Sequence, residues 1–588
     1  MHKIISKIIF FFLILQLTSC GVRKSMKFKP EVELTAVNLQ LDVATDSFKQ
    51  VKTNFSQKNK YNNWELKVSG SPEEIGYYSG LLTQNLYQYQ EKAFFDNLKT
   101  TIPSKTKQKF LIRFLRWYNR EMYQHIPTPY LKEIYTLSQF SSEDYNWVAP
   151  KFQRALFLHG AHDIGHAMQD LAVVGCSSLA VWDQNTENGD LLIGRNFDFY
   201  VGDAFADHKL IQFVNPTNGF AFASVSWPGM IGVVSGINIK GITVTLNAAK
   251  SDIPLKAKQP VSIVARQILQ EAATIEQAIE IAKNTEVFVS ESLLIGSGTQ
   301  NKAVIIEMSP NKFDVYTPEQ NFLICTNHFQ STIYTDDIRN QEHVKNSHTE
   351  YRFQVIEKNM KNEKVWTPQK MANLLRSTEG LEDNNIGLGN EKALNQLMAH
   401  HAVIFEPKSL KMWVSSSPYQ LGAMVCYDLN KIFDENKSTQ ILFNDAETIA
   451  ADSTFMKSDY QSFQKYKFEK KNIESALVSG DKISEQELND FIDLNPKLWK
   501  VYDLVGQIQF KKGFYEVARQ NFEKALTLEI PYKNDRKRIV NQLKKTAYLL
   551  TILKYYKNKN CKNNCNIFLK IHLIINNCFV KKILILLR

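Results

Sequence analysis

The chain has 588 residues, 44% hydrophobic and 12% aromatic, with a formal net charge of +11, which excludes a disordered or fibrous protein and exceeds the length of one ordinary domain. The positive excess collects in Lys533 to Arg588, where Asp535 is the sole acid. No motif that reads RNA or DNA accompanies it, so the charge is assigned to solvated surface or to an anionic membrane, and no nucleic-acid partner is expected.

At the start of the chain Lys3 and Lys7 precede the apolar run Ile8 to Leu17 and then small residues. Residues 1–20 are therefore expected to be an export signal, because a run of about ten apolar residues falls short of the roughly 20 that span a hydrocarbon core. Leu17-Thr18-Ser19-Cys20 resembles the lipobox of bacterial lipoproteins, which implies lipidation of Cys20 and a chain tethered by lipid to a membrane of the bacterial cell envelope. Ordinary signal cleavage near Cys20 is the alternative. The other six cysteines, Cys176, Cys325, Cys426, Cys561, Cys565 and Cys578, contain no paired CxxC motifs and no compact disulfide spacing.

From about Glu31 to Asp170 the pattern predicts mainly helices, one opening at Ser71 with Glu73 and Glu74 in its first turn. Another amphipathic helix is predicted over Gln153 to Leu171. From Cys176 the texture becomes β-rich: CSSLAVWD, LLIGRNFDF, LIQFVNP, FAFASVSWPG, IGVVSGINIKG and ITVTLNAA are cut by Asn and Gly turns. Helices are expected at Val261 to Ala273 and Ile275 to Asn284, followed by a second β set ending near Leu429. Strands, helices, then strands predict an α+β fold with two stacked antiparallel sheets covered by helices. The expected domains are a helical N-terminal segment over 21–175, a catalytic domain over 176–430, a helical repeat-like region over 455–550 and a low-complexity basic tail over 551–588. Within the third, Val505-Gly506, Gly513, Tyr515, Ala518, Phe522, Ala525 and Pro531 resemble a single tetratricopeptide repeat, with a plain helical hairpin as the alternative.

Chemistry centres on VVGCSSLAV. A thiol attacks only after losing its proton, and two routes are open. Histidine is one; His159, His162, His166, His208, His328, His400 and His401 are candidates, but the papain-like context is missing. In the other, cleavage between Gly175 and Cys176 frees an α-amino group, with a reference pKa of about 7.7–8.0, to serve as the base. Gly175 leaves the peptide bond sterically open. GRNFDF places Arg195 and Asp198 three residues apart, a charge pair suited to orienting the new amine and holding a thiolate or carboxylate. Taken alone, such a pair is usually a surface salt bridge and such a cysteine usually an inert core residue.

In order, GCSSLAVWD, LIGRNFDF, WPGMIGVVSGINIKGITVTLNAA, SLLIGSG, IIEMSP and CTNHF resemble the N-terminal-nucleophile (Ntn) hydrolases of the acyl-coenzyme A:6-aminopenicillanic acid acyltransferase family, related to choloylglycine hydrolase, penicillin V acylase and acid ceramidase. The resemblance runs from about Pro72 to Leu429. It implies a four-layer αββα sandwich, with Cys176 as both autocleavage site and mature nucleophile, and Arg195 and Asp198 holding the amino terminus. Asn327 in TNHF would supply an oxyanion donor, and Asn247 in TLNAA a second polar contact, unless each simply caps a turn. The long segment before Cys176 implies a two-chain product that stays together.

Trp227 and Met230 in WPGM are candidates for an acyl pocket, or for a turn only. His162 and His166 lie four apart beside His159, Asp163 and Asp170, but the glutamate of HExxH is missing, so neither metal nor other cofactor is expected. His328 is expected to support its strand end. The function read from these residues is an autoproteolytically activated cysteine amidase that hydrolyses a linear non-peptide amide of a small N-acyl substrate through an acyl-thioester. The alternatives are an acyltransferase passing the acyl group to an amine, and a catalytically inert lipid-anchored interaction protein.

Overall fold

The computed structural model describes residues 21–33, 39–161, 163, 173–252, 254, 256–434 and 440–558. Residues 1–20 with Cys20, the residues His162, His166 and Asp170, and the tail from 559 with Cys561, Cys565 and Cys578 lie outside them. The chain divides into two compact units, one of residues 1–384 with 391–457 and one of residues 385–390 with 458–588.

The first unit is a mixed α+β body. Among the described residues its larger sheet has eleven strands, in the order Val43–Ala44, Phe48–Val51, Asn54–Lys58, Trp64–Gly70, Leu210–Pro216, Phe222–Ser226, Ser235–Asn238, Ile242–Ala248, Glu291–Ser297, Lys302–Met308 and Phe313–Tyr316. Neighbours are antiparallel except that Trp64–Gly70 runs parallel to Leu210–Pro216. A second, seven-stranded sheet runs Phe322–Cys325, Ser177–Val181, Leu192–Phe197, His401–Glu406, Lys411–Ser415, Met424–Asp428 and Phe443–Ile449.

Three buried cores tie these parts together. Phe213, Val225, Leu294 and Ile305 of the larger sheet meet Ala180, Ile193, Val403, Phe405 and Val414 of the smaller one. The other side of the larger sheet, through Val244, Leu246, Leu293 and Ile295, packs on Val261, Val264, Ile268 and Ile275 of helices Val261–Glu271 and Ile275–Lys283. Leu179, Leu192 and Ile404 of the smaller sheet pack on Val355, Ile356, Met371 and Leu375 of helices Thr349–Asn362 and Pro368–Arg376. Strands covered on both faces must be apolar or internally bonded throughout, which is why Ile242–Ala248 and Glu291–Ser297 are buried at every position.

Two expectations are corrected. Residues 43–70 are not helical but form four strands of the larger sheet; their polar alternation in FKQV and WELKVSG, with Leu66 and Val68 buried, is a period-two pattern. The smaller sheet does not stop at residue 430, since Phe443–Ile449 pairs with Met424–Asp428. Helix Pro72–Thr101 does open as expected: the Ser71 hydroxyl accepts from the Glu74 amide and the Glu74 carboxylate accepts from the Ser71 amide.

Gly229, in the turn after Phe222–Ser226, has φ +87°, and a Cβ built there meets the buried Tyr87 ring at 2.2 Å. Gly229→Ala therefore combines left-handed backbone strain with overpacking, and is expected to cost about 2–4 kcal/mol. Thermal unfolding checks this; an unchanged midpoint would mean that Tyr87 yields freely.

The described part of the second unit is helical: Asp459–Ser479, Glu485–Leu494, Trp499–Lys512, Tyr515–Leu526 and Lys533–Asn558. Leu504, Val505 and Ile508 are buried on one helix, Ala518, Phe522 and Ala525 on the next. Arg538 clasps the buried Asp503 carboxylate through two 2.8 Å bonds. The last helix continues past residue 550 to Asn558, so a boundary at 551 falls inside it. No helix among the described residues is long and apolar enough to cross a membrane.

Candidate active site

Cys176 immediately precedes strand Ser177–Val181 and is wholly buried. Antiparallel pairing sets Ser178 opposite Arg195 and Ser177 opposite Asn196, while Val173 and Val174 pair with Tyr200 and Phe199. Between these two ladders the Gly175 amide donates to the Asp198 carbonyl at 3.0 Å. The register thus carries GRNFDF alongside VVGCSS.

Arg195, also wholly buried, donates from Nη1 to the Val234 carbonyl and the Ser235 hydroxyl, both at 2.5 Å, and from Nη2 to the Leu246 carbonyl. The same Nη2 lies 3.7 Å from Cys176 Sγ. Three neutral acceptors hold the guanidinium in place and leave its charge uncompensated by any bonded carboxylate, which favours an anion at the sulfur. Burial nevertheless dominates: it pushes the Cys176 thiol up to about 12, against the pull of Arg195. In the uncut chain this sulfur is a thiol, and reaction needs a base.

No histidine among the described residues bonds that thiol. His401 Nε2 shares a 2.8 Å bond with Ser235 Oγ, and His400 and His401 meet through their Nδ1 atoms at 3.0 Å, so the pair reaches Arg195 only through Ser235. His159 Nδ1 donates to the Ala155 carbonyl and Nε2 accepts from the Ile231 amide, with burial holding its pKa near 4. His328 Nδ1 lies near Thr326 Oγ1 and Thr349 Oγ1, at the strand end, and His208 packs beside the Tyr89 ring. Among the described residues no group of three or more His, Cys, Asp or Glu could hold a metal ion.

Asp198 is fully buried, and both carboxylate oxygens lack a hydrogen-bond partner among the described residues. Burial raises its pKa to about 8, against Arg352 and Arg195. The folded uncut chain therefore keeps a proton that the unfolded chain releases near pH 3.8. More protons bound in the folded state means stability falls as pH rises between these values. In a Cys176→Ala chain, which stays uncut if Cys176 cleaves the chain, Asp198→Asn is expected to flatten that fall by a few kcal/mol. Denaturant titrations at about pH 5 and about pH 8 measure it; parallel pH profiles for the two chains would contradict it.

The two asparagines differ. Asn247 accepts from Ser178 Oγ at 2.7 Å and donates to the Cys325 and Thr326 carbonyls at 2.9 and 3.3 Å. Both amide hydrogens are spent, so in this geometry Asn247 ties the two sheets together and has none left for an oxyanion. Asn327 donates once, to the Ala248 carbonyl at 2.9 Å, and among the described residues its second amide hydrogen has no acceptor.

Trp227 and Met230 line an apolar pocket with Tyr87, Phe94, Phe199 and Phe205. Trp227 stacks on Phe199 at 5.9 Å, and both share one buried core with Cys176.

Residues 184–417 match the family model of acyl-coenzyme A:6-aminopenicillanic acid acyl-transferase. The match begins after Cys176 and takes in Arg195, Asp198, Asn247 and Asn327. An uncharacterised protein of Archaeoglobus fulgidus is 26% identical over 306 residues, covering 48% of this chain and 51% of its own. Protein dcd1B of Dictyostelium discoideum is 23% identical over 276 residues, 44% of this chain and 52% of its own. The chain thus spans about half the length of the curated relatives it matches. Among solved structures, a Caenorhabditis elegans ortholog of N-acylethanolamine-hydrolyzing acid amidase is similar at 17% identity and TM-score 0.31, covering 40% of this chain and 93% of that one. A mutant conjugated bile acid hydrolase of Clostridium perfringens is similar at 13% and 0.30, covering 44% and 93%.

Three residues at this site escaped the sequence reading. Arg352, on helix Thr349–Asn362, is wholly buried. It donates from Nη1 to the Gly175 carbonyl at 3.2 Å, the Cys176 carbonyl at 2.6 Å and Ser177 Oγ at 2.7 Å, and from Nη2 to Asn327 Oδ1 at 2.6 Å. One signal was available: the buried positions of its helix are Thr349, Arg352, Val355, Ile356 and Met360, so the arginine stands within the apolar stripe. Gln396 Nε2 donates to the Gly175 carbonyl at 3.1 Å. Glu291 is a buried carboxyl whose oxygens have no hydrogen-bond partner among the described residues; burial holds its pKa well above the ordinary range, and only where ionised does it add to the upward push on the Cys176 thiol. It sits in a strand whose pattern reads simply as core.

Proposed function

We propose that the chain cuts itself between Gly175 and Cys176, and that Cys176 then hydrolyses a non-peptide amide of a small N-acyl substrate through an acyl-thioester. The observation that carries this reading is the buried Cys176 thiol beside Arg195, where among the described residues no histidine bonds the sulfur and both oxygens of the nearby buried Asp198 lack a hydrogen-bond partner. Once the chain is cut, the α-amino group of Cys176 would supply the base for attack on substrate, its reference pKa of about 7.7–8.0 suiting neutral conditions, whereas in the cut itself the sulfur's proton passes to the departing Cys176 nitrogen. The Asp198 carboxylate would then gain the ammonium as its partner. The thiolate, steadied by Arg195, attacks the amide carbonyl, and the free amide hydrogen of Asn327 faces the developing oxyanion. Asn247 acts as a positioning residue. After the amine leaves, water resolves the thioester.

The apolar pocket at Trp227 and Met230 supports a substrate with an apolar acyl group. The succession of helices, sheet, sheet and helices around three cores supports the αββα sandwich of Ntn hydrolases. The N-terminal segment supplies strands to the larger sheet, which supports a two-chain product that stays together. The paired helices Trp499–Lys512 and Tyr515–Leu526 support a single tetratricopeptide-like hairpin, and the lipobox-like Cys20 a lipid-anchored envelope protein. The match of residues 184–417 to an acyl-transferase family favours a second reading, transfer of the acyl group to an amine.

Intact mass spectrometry of the purified protein tests the central claim: two chains are expected, the second beginning at Cys176. A single uncut chain that turns over amides would refute it. Adding an amine acceptor to an acyl donor separates the two chemistries, since transfer requires acceptor product to outrun free acid.

A further inference from the structure

We propose that Gln396 and Arg352 form the oxyanion site for self-cleavage, stabilising negative charge on the Gly175 carbonyl oxygen while the Gly175–Cys176 bond is broken. The inference rests on the reading above that Cys176 cuts the chain, and it assigns a role to a residue that reading does not use.

The Gly175 carbonyl is the group that becomes tetrahedral when Cys176 Sγ attacks. It accepts from two side chains at once, Gln396 Nε2 at 3.1 Å and Arg352 Nη1 at 3.2 Å. These donors arrive from separate elements, one from helix Thr349–Asn362 and one from the loop preceding strand His401–Glu406. Bonds of this length to a neutral carbonyl shorten and strengthen as the oxygen gains charge, and one of the donors carries a full positive charge.

Gln396 is buried for this contact. It is 1% exposed, and its Oε1 has no hydrogen-bond partner among the described residues, so the side chain keeps an unsatisfied acceptor in the interior while its amide nitrogen serves Gly175. The loop that presents it is pinned on both sides. Asn395 accepts from the Leu397 amide at 3.0 Å and donates to the Arg376 carbonyl at 3.1 Å, with Leu397 in the left-handed region at φ 52°. Asn196, next to Arg195, donates to the Leu375 and Leu394 carbonyls at 2.8 and 2.9 Å. Gly175 permits the approach, because a Cβ there would lie 2.4 Å from Gln396 Nε2.

In the first step the Cys176 S–C bond forms at the Gly175 carbonyl carbon and charge gathers on its oxygen, between the two donors. The C–N bond then breaks, and the proton lost by sulfur ends on the Cys176 nitrogen, leaving a thioester and a free amine. Water cleaves the thioester, returning the thiol and leaving a Gly175 carboxylate facing Arg352 and Gln396. No oxidant, reductant or further reactant is required.

Cell-free synthesis of the full chain, chased at neutral pH and followed by intact mass, measures the rate of cutting. Gln396→Met keeps the length of the side chain and removes the donor, and is expected to slow cutting by about 100-fold. Gln396→Glu is expected to cut slowest where its carboxyl is ionised, and to recover relative to wild type at the same pH as acid restores an O–H donor. Read only over the pH range in which urea titration shows the Gln396→Glu chain fully folded, this ratio answers the question even if Gln396→Met fails to fold, since a packing role shows in stability and leaves the ratio of the folded chains flat. Wild-type rates in Gln396→Met, or a flat ratio in Gln396→Glu, overturn the proposal while leaving Cys176 as the nucleophile. A wild-type chain that never divides at Gly175–Cys176 overturns both.

Discussion

Replacing Cys176 by alanine is expected to leave one uncut chain and to lower amide turnover by about a million-fold, the scale on which loss of a covalent nucleophile acts. Two losses come from one atom. Without the sulfur the Gly175 carbonyl is not attacked, so the α-amino group proposed as the base never forms. Neither of the other described cysteines can substitute. Cys325 is buried in the strand paired with Ser177–Val181, and Cys426 in a strand farther along the same sheet. Burial raises both thiols as well, Cys426 to about 12. The alanine itself adds little strain, because it only removes one sulfur atom from a buried position. The variant should therefore fold as one chain with a cooperative urea transition, which separates a chemical loss from a folding defect. Turnover retained by the alanine chain would rule out the proposed mechanism and favour an inert or differently placed site.

Arg352→Met should produce the largest stability loss at this site, about 3–5 kcal/mol in urea titrations, together with slow cutting. Its guanidinium joins the strand start at Gly175, Cys176 and Ser177 to the asparagine of CTNHF. Methionine fills much of the volume but donates nothing. The Cys176 carbonyl, Ser177 Oγ and Asn327 Oδ1 would then be buried acceptors short of a donor, and Gly175 would keep only Gln396. Each acceptor left unsatisfied costs about 1–3 kcal/mol, partly recovered by rearrangement. Arg352→Lys should recover some of the loss, since an ammonium reaches one or two of these acceptors but cannot fork to all of them and to His348 Nδ1, which accepts from the arginine Nε at 2.9 Å. A methionine chain as stable as wild type would show that the acceptors find other partners and that the arginine does not organise the site.

What was legible before any coordinates was local or periodic. The β-rich runs FAFASVSWPG and ITVTLNAA between Asn and Gly turns, the start of the helix at Ser71 and the helices near Val261 and Ile275 follow from side-chain composition, turn residues and capping chemistry, which act within a few residues. Residues 43–70 were misread because their four strands are short and polar on one face, and their place is decided by a parallel partner more than 140 residues away, Leu210–Pro216. The end of the first unit's smaller sheet was missed for a similar reason: Phe443–Ile449 is partly exposed, and only its pairing with Met424–Asp428 makes it a strand of that sheet.

The site divides in the same way. The sequence singled out Cys176, the glycine before it and the Arg195 and Asp198 pair as candidates within short motifs, and the resemblance carried by the order of those motifs added the two asparagines and the roles of all five side chains. It could not tell that Asn247 spends both amide hydrogens on carbonyls while Asn327 keeps one free, since that depends on which backbone groups the stacked sheets bring within 3.3 Å. Nor could it find Arg352 and Gln396, which lie 177 and 221 positions from Gly175 in the chain, yet both bond its carbonyl. A thiol's identity is written in one residue; the donors that surround it are set by packing, and only the folded chain brings them to the same oxygen.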